Sequence, residues 1–178
     1  GGKVYWLQSP SSGSGPHSIQ RCNLDGTEFE VVGTASKPQH YLVVDSANGI
    51  IYWIQGASAS AQHEIWRARR DEANPIVLVQ NIGFPMGLTV DPIGQKIYWL
   101  NLSEIHRATT DGSNVETVVD NLTMPGAIAL DTVHSKIYWH DFNNSARWMH
   151  RSDLDGFNIE NLITGFYNIN GPSQIKLD

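Results

Sequence analysis

Seven histidines, a set of regularly spaced aspartates and one cysteine are the residues here whose types could do chemistry. Histidine with aspartate offers metal ligation or acid–base work, and a thiol offers nucleophilic or redox chemistry. Spacing reduces those options. His106 and His150 each stand directly before an arginine, in the slot that holds Gln20 and Trp66 elsewhere. They are variants of one repeated position. His140 adjoins Asp141, with His150 on what reads as the neighbouring strand. A metal there would need a convergence that this spacing does not supply, so no metal or cofactor is expected. Ser-His-Asp triads can be assembled on paper from such a set and carry no weight without geometry, so no catalytic residue is expected. His40, beside Gln39 at the start of an apolar run, is instead a candidate ligand contact. Cys22 is the only cysteine, which excludes an internal disulfide. It follows Arg21 where Ala68, Ala108 and Ser152 follow the other arginines. That slot predicts a buried thiol in a small site, with an intermolecular bridge as the alternative.

These slots belong to a repeat. Tyr5-Trp6-Leu7-Gln8 returns as Tyr52-Trp53-Ile54-Gln55, Tyr98-Trp99-Leu100-Asn101 and Tyr138-Trp139-His140-Asp141, at steps of 47, 46 and 40 residues. Seven residues before each later tyrosine stands Asp45, Asp91 or Asp131, and Asp178 ends the same pattern. Each closes an apolar run opened by Pro38, Pro85, Pro125 or Pro172. Downstream come Arg21, Arg67, Arg107 and Arg151, each followed four residues later by Asp25, Asp71, Asp111 or Asp155. Gly26, Gly112 and Gly156 complete Asp-Gly pairs, a strong hairpin signal; the second repeat has Glu72 instead, which predicts a less regular turn.

Each period therefore holds four short runs of β-branched and aromatic residues between turn signals, and no helical period is sustained. Four antiparallel strands per period are the anatomy of a propeller blade. The Tyr-Trp pairs are expected to cement neighbouring blades, each ring burying roughly 150–250 Å². The arginines are expected to be structural, donating to the polar residue that ends the motif: Gln8, Gln55, Asn101 or Asp141. Only Asp141 would make that a charged pair.

These residues resemble the YWTD repeats of the low-density-lipoprotein-receptor family. That pattern runs Tyr-Trp-Thr-Asp, then Ile-x-Arg-x-x-x-Asp-Gly, then Pro-x-x-apolar-x-apolar-Asp, and the likeness covers essentially the whole chain. Thr-Asp is replaced by Leu-Gln, Ile-Gln, Leu-Asn and His-Asp, so the family's polar bracing is altered. The resemblance implies a propeller of six blades, whereas this chain has four cycles. Four cycles fit a compact ring, a fragment of a larger ring, or a ring shared between chains. Lys3-Val4-Tyr5 reads as a second strand and Ile175-Lys176-Leu177-Asp178 as a first strand. The fold expected is thus all-β, a four-bladed propeller whose N- and C-terminal strands share a blade, with residues 1–178 as a single domain.

A net charge of −6 argues against nucleic-acid or anionic-membrane partners. No apolar stretch is long enough to span a membrane. The chain opens on Gly1-Gly2, which fits a processed mature protein. The resemblance, not the cysteine count, implies a secreted or extracellular location. Asn121 and Asn143 head sequons in connections and are candidate glycosylation sites, whereas Asn101 is read as a strand-end acceptor.

Function is expected where blades depart from the repeat, in loops between second and third strands and between blades. Residues 9–18, 56–64 and 142–148 are such departures; Leu102 and Ser103 make the third loop minimal. Candidate ligand contacts are His40, Phe84, Trp148, Tyr167, Asn168 and Asn170. Aromatics with amides suit a sugar ring, so a glycan-binding, non-enzymatic module is the leading expectation. A receptor-type module for an extracellular protein ligand and a structural or matrix unit are the alternatives, and a homo-oligomer is allowed. A calcium-dependent hydrolase is disfavoured. The innermost runs offer Leu42, Val44, Leu88, Val90, Ile128 and Leu130, with Thr89 and Lys176 as polar exceptions.

Overall fold

The structure is a computed structural model that describes residues 2–10, 15–56, 62–70, 74–143, 146–166 and 175–177. The described residues form strands and turns, with no helix among them. Fifteen strands make four antiparallel sheets in chain order. Sheet 1 holds β1 (Lys3–Gln8), β2 (His17–Asn23) and β3 (Glu30–Ala35). Sheet 2 holds β4 (Gln39–Asp45), β5 (Ile50–Gln55), β6 (Glu64–Arg69) and β7 (Ile76–Val79). Sheet 3 holds β8 (Gly87–Asp91), β9 (Lys96–Leu100), β10 (Ile105–Thr109) and β11 (Glu116–Val119). Sheet 4 holds β12 (Ile128–Asp131), β13 (Lys136–Asn143), β14 (Ala146–Asp153) and β15 (Glu160–Phe166). Neighbours in sequence are neighbours in every sheet. The Tyr-Trp motif occupies the second strand and the arginine the third in sheets 2 to 4, as the repeat predicts. β1 is an edge of sheet 1, and the innermost strand expected for it from residues 172–178 falls largely outside the described set.

The repeated aspartates make the turns. Asp45, Asp91 and Asp131 accept backbone N–H bonds from Asn48, Gly94 and His134 at 2.9–3.0 Å, closing the first hairpin of sheets 2, 3 and 4. The residue that re-enters the strand is left-handed each time: Gly49, Gln95 and Ser135 have φ of 67°, 52° and 56°. Asp25, Asp111 and Asp155 accept from the amides of Thr27, Ser113 and Phe157 in the last hairpin. There Gly26, Gly112 and Gly156 take φ of 81–87°, which glycine adopts without steric cost. The irregular turn expected at Glu72 lies outside the described residues.

The chain divides into two compact units, residues 1–83 and 84–178. In the first, Ile19, Ile51, Trp53 and Ala68 form a core on which Tyr5, Leu7, Val32, Leu42, Val44 and Trp66 pack. In the second, Tyr98, Leu100, Ile105, Val119, Ile128, Ile137 and Trp139 do so, and inner strands β8 and β12 touch. A Cβ on Gly87 would lie 2.8 Å from Ile128 Cγ2, so glycine permits that approach. The motif aromatics of the inner sheets are buried: Tyr52, Trp53, Tyr98, Trp99 and Trp139 expose 2% or less. Tyr5, Trp6 and Tyr138 are half-buried; Tyr5 and Trp6 lie on the edge strand β1.

Arg21, Arg107 and Arg151 do not bond the residue that ends the motif; their partners are elsewhere. Each repeated arginine lies directly opposite the tyrosine: Tyr5↔Arg21, Tyr52↔Arg67, Tyr98↔Arg107 and Tyr138↔Arg151. The antiparallel register sets the motif's last residue three positions away along the strand, out of reach. Arg21, Arg107 and Arg151 instead bond Glu30, Glu116 and Glu160 on the fourth strand of their own sheets. Arg21 also donates to the Arg70 carbonyl at 2.6 Å and Arg107 to the Leu154 carbonyl at 2.8 Å, each in the next sheet of its unit. These bonds staple adjacent sheets.

Candidate ligand-binding site

The first strand of sheet 2 breaks the repeat by one residue. Pro38 to Asp45 is a step of seven, whereas Pro85 to Asp91 and Pro125 to Asp131 are steps of six. The extra residue becomes a β-bulge. His40 pairs with Ile54 and Val43 with Tyr52, so Tyr41 and Leu42 together oppose Trp53. The equivalent pairing of β8 with β9 has no shift. Tyr41 takes φ 51° and is 40% exposed. A left-handed tyrosine costs about 1–2 kcal/mol, and such strain persists only where surrounding structure holds it.

His40 is positioned by that bulge. Its Nε2 is buried and has no hydrogen-bond partner among the described residues. Burial holds its imidazole below the ordinary 6.5, opposed by a hydrogen bond with the Gly56 backbone and reinforced by His63 and His17. Burial thereby favours the neutral ring. Gln39 Oε1 is a second buried atom with no partner. Both sit where β4 begins, the end of the sheet from which the loop after Gln55 leaves. Gly56 donates to the Pro38 carbonyl at 3.0 Å and so ties that loop to the start of β4. A Cβ on Gly56 would lie 2.5 Å from His63 Cδ2, so only glycine admits the His63 ring. His63 is anchored through Nδ1, 2.8 Å from the Gly83 carbonyl, and its centroid is 6.1 Å from that of His40. Partial burial raises the pKa of the Tyr41 phenol above its ordinary 10.0. The end of sheet 2 thus carries an exposed, displaced tyrosine beside two buried polar atoms without partners among the described residues.

Sheet 4 gathers a different cluster within residues 84–178. His150 Nε2 lies 2.9 Å from Asp141 Oδ1, and its Nδ1 lies 2.8 Å from Asn161 Oδ1. Its ring stacks on Trp139 at 5.4 Å and meets Trp148 at 6.2 Å. With both nitrogens engaged and both faces covered, His150 is a packing and bonding residue. Trp148 is therefore a partner of His150, half-buried in the strand. The same slot stacks Trp66 on Trp53 at 6.3 Å and His106 on Trp99 at 5.3 Å. It is the lid over the motif tryptophan, a role that only the register reveals. The loop expected at 142–148 is mostly hairpin: Phe142 pairs with Arg147, whose guanidinium sits 5.7 Å over the Phe142 ring. Among the described residues no three histidine, cysteine, aspartate or glutamate side chains converge as a metal ion requires.

Other candidates are placed as follows. Phe84 opens the second unit and is 39% exposed. Tyr167, Asn168 and Asn170 lie outside the described residues. Asn121 is exposed at φ 58° and its Nδ2 donates to Asp120 at 2.9 Å. Asn143 ends β13. Cys22 is a free, half-buried thiol on β2, paired across from Val4 on the edge strand.

The repeating sheets match solved propellers. The chain aligns to a nidogen–laminin complex structure with TM-score 0.74 and 23% identity, over 91% of this chain and 62% of that one. A TolB structure from Agrobacterium tumefaciens gives 0.74 at 16% identity, over 90% and 61%. The fold is a β-propeller, and the four sheets are its blades. An oligogalacturonate lyase structure with manganese aligns at 0.64 and 12% identity, over 82% and 47%, and shares the fold alone. No family model matches the sequence. Among curated proteins, the mouse low-density lipoprotein receptor-related protein 5 is 35% identical over 88 residues, 48% of this chain and 5% of that protein. The chain thus spans a small part of that relative and less than two thirds of the nidogen chain.

Proposed function

We propose that this chain is a non-enzymatic, extracellular propeller module of YWTD type. It binds a protein ligand at the loop end of blade 2. The observation that carries the reading is the bulge. One inserted residue displaces Tyr41 toward solvent beside His40, whose buried Nε2 has no hydrogen-bond partner among the described residues. A strained, underbonded end on an otherwise regular blade is where a rigid scaffold places recognition. The sequence match to a receptor-related protein and the fold match to a nidogen–laminin complex favour a protein ligand over a glycan. The exposed Tyr41 would meet such a ligand first.

The test is parallel capture. The purified chain is immobilised and exposed to extracellular matrix proteins, laminin first, and separately to a broad glycan array. Saturable protein binding with a blank array is the expected result. Glycan binding without protein binding would return the leading role to sugar recognition.

A further inference from the structure

Independently of that reading, we propose that two copies of this chain associate head to tail. The tyrosine-bearing face of blade 4 in one subunit packs on the tryptophan-bearing face of blade 1 in the other. Side chains alternate along a strand, so each blade has two faces. One carries the motif tyrosine and the repeated arginine, the other the motif tryptophan. Within each unit the two kinds of face pack on one another. In residues 1–83, Ile19 from the tyrosine face of blade 1 packs with Ile51, Trp53 and Ala68 on the tryptophan face of blade 2. In residues 84–178, Tyr98, Leu100 and Ile105 of blade 3 pack with Ile137 and Trp139 of blade 4. The arginine staples run the same way. Arg21 reaches the carbonyl of Arg70 and Arg107 that of Leu154, each the residue just before the aspartate of the last hairpin.

One face of each kind is left exposed. On the tryptophan face of blade 1, Val4 is 46% exposed, whereas Ile51, Ile97 and Ile137, which hold its place in the repeat, are 0%. Trp6 and Cys22 are half-buried there, whereas their counterparts in the other blades are buried. On the tyrosine face of blade 4, Ile163 pairs with Met149 as Val79 pairs with Ile65 and Val119 with Ile105. Ile163 is 53% exposed, against 8% for Val79 and 4% for Val119. Tyr138 is half-buried where Tyr52 and Tyr98 are buried. Arg151 bonds Glu160 but makes no bond to another blade's carbonyl among the described residues. These are the two halves of the interface that blades 1 and 2, and blades 3 and 4, already make. A second copy supplies both halves at once. Leu24 of the partner subunit stands just before Asp25, the place of the stapling carbonyls of Arg70 and Leu154, and is exposed. Contact between two different faces is heterologous, so subunits related by it form a closed ring or a chain.

Analytical ultracentrifugation over a concentration series tests this with the parent and two variants. The parent is expected to associate reversibly into species of two or more chains. Val4→Glu spoils the face on blade 1 and Ile163→Glu the face on blade 4. Both residues are exposed, so each variant keeps its melting temperature. Each alone associates about tenfold or more weakly, because its contact would bury an unpaired carboxylate. Mixed in equal amounts, the two variants regain one intact pair of faces and form a heterodimer that neither forms alone. A parent that stays monomeric at every concentration would overturn the proposal, since the faces would then be covered by the chain's own residues or by another protein. Association undiminished in either folded variant would overturn it by placing the contact elsewhere. A mixture no more associated than its components would overturn the head-to-tail pairing.

Discussion

At the scale of single residues, the aspartates that look chemical in the sequence are turn makers. Asp111 is the extreme case. Hydrogen bonds from the hydroxyl of Thr109 and from the amide and hydroxyl of Ser113 pull its carboxyl from 3.8 down to about 2. A carboxyl whose folded pKa is depressed contributes stability above its unfolded value and loses it as pH falls through the folded one. Asp111 therefore adds stability above about pH 4, and that contribution fades towards pH 2. Asp111→Asn keeps an oxygen acceptor but does not titrate. Melting temperatures by circular dichroism should fall further between those pH values for the parent than for the variant. Parallel curves would show that the turn bonds do not discriminate between the charged and neutral acid. His150 shows the limit of residue-level reading. Its place beside Asp141 suggested a possible metal site, yet the two bond each other and the ring lies between tryptophans.

At the scale of strands and sheets, most of the architecture was legible and the lateral partners were not. The Tyr-Trp strand, the arginine strand and the Asp-Gly hairpins can be read from spacing, because local turn chemistry and β propensity set them. The arginine partner was misassigned, although a signal was present: Glu30, Glu116 and Glu160 each stand nine residues after their arginine. A cross-strand neighbour depends on register, and register depends on a hairpin length that spacing alone leaves open. The bulge was legible too, in the seven-residue step from Pro38 to Asp45 set against steps of six. The ring stacked on Trp53, Trp99 and Trp139 was not, since the slot holds Trp66 in one blade and His106 and His150 in the others. The inter-blade staple yields a prediction at this scale. Arg107→Lys keeps the charge but loses the fork that reaches Glu116 and the Leu154 carbonyl together. Urea unfolding should show a loss of about 1–2 kcal/mol, the range for a hydrogen bond to a charged group. A change near zero would mean that Leu154 finds another donor at no cost.

For the molecule as a whole, four blades built on one pattern make departures from it informative. Blade 2 departs twice: an inserted Tyr41 at its loop end, and Ile76 in place of glutamate at the other. Blades 3 and 4 pair their first two strands without a shift. On the proposed reading, recognition falls to blade 2, with the remainder as scaffold. The most direct test is to delete Tyr41, which returns the Pro38-to-Asp45 step to the length used by blades 3 and 4. The deletion variant and the parent are compared for melting temperature and for binding to laminin, or to whichever matrix protein the parent captures. The account predicts a melting temperature equal or higher, because the left-handed tyrosine is gone, and binding weakened about tenfold or more. Undiminished binding by a folded deletion variant would contradict it.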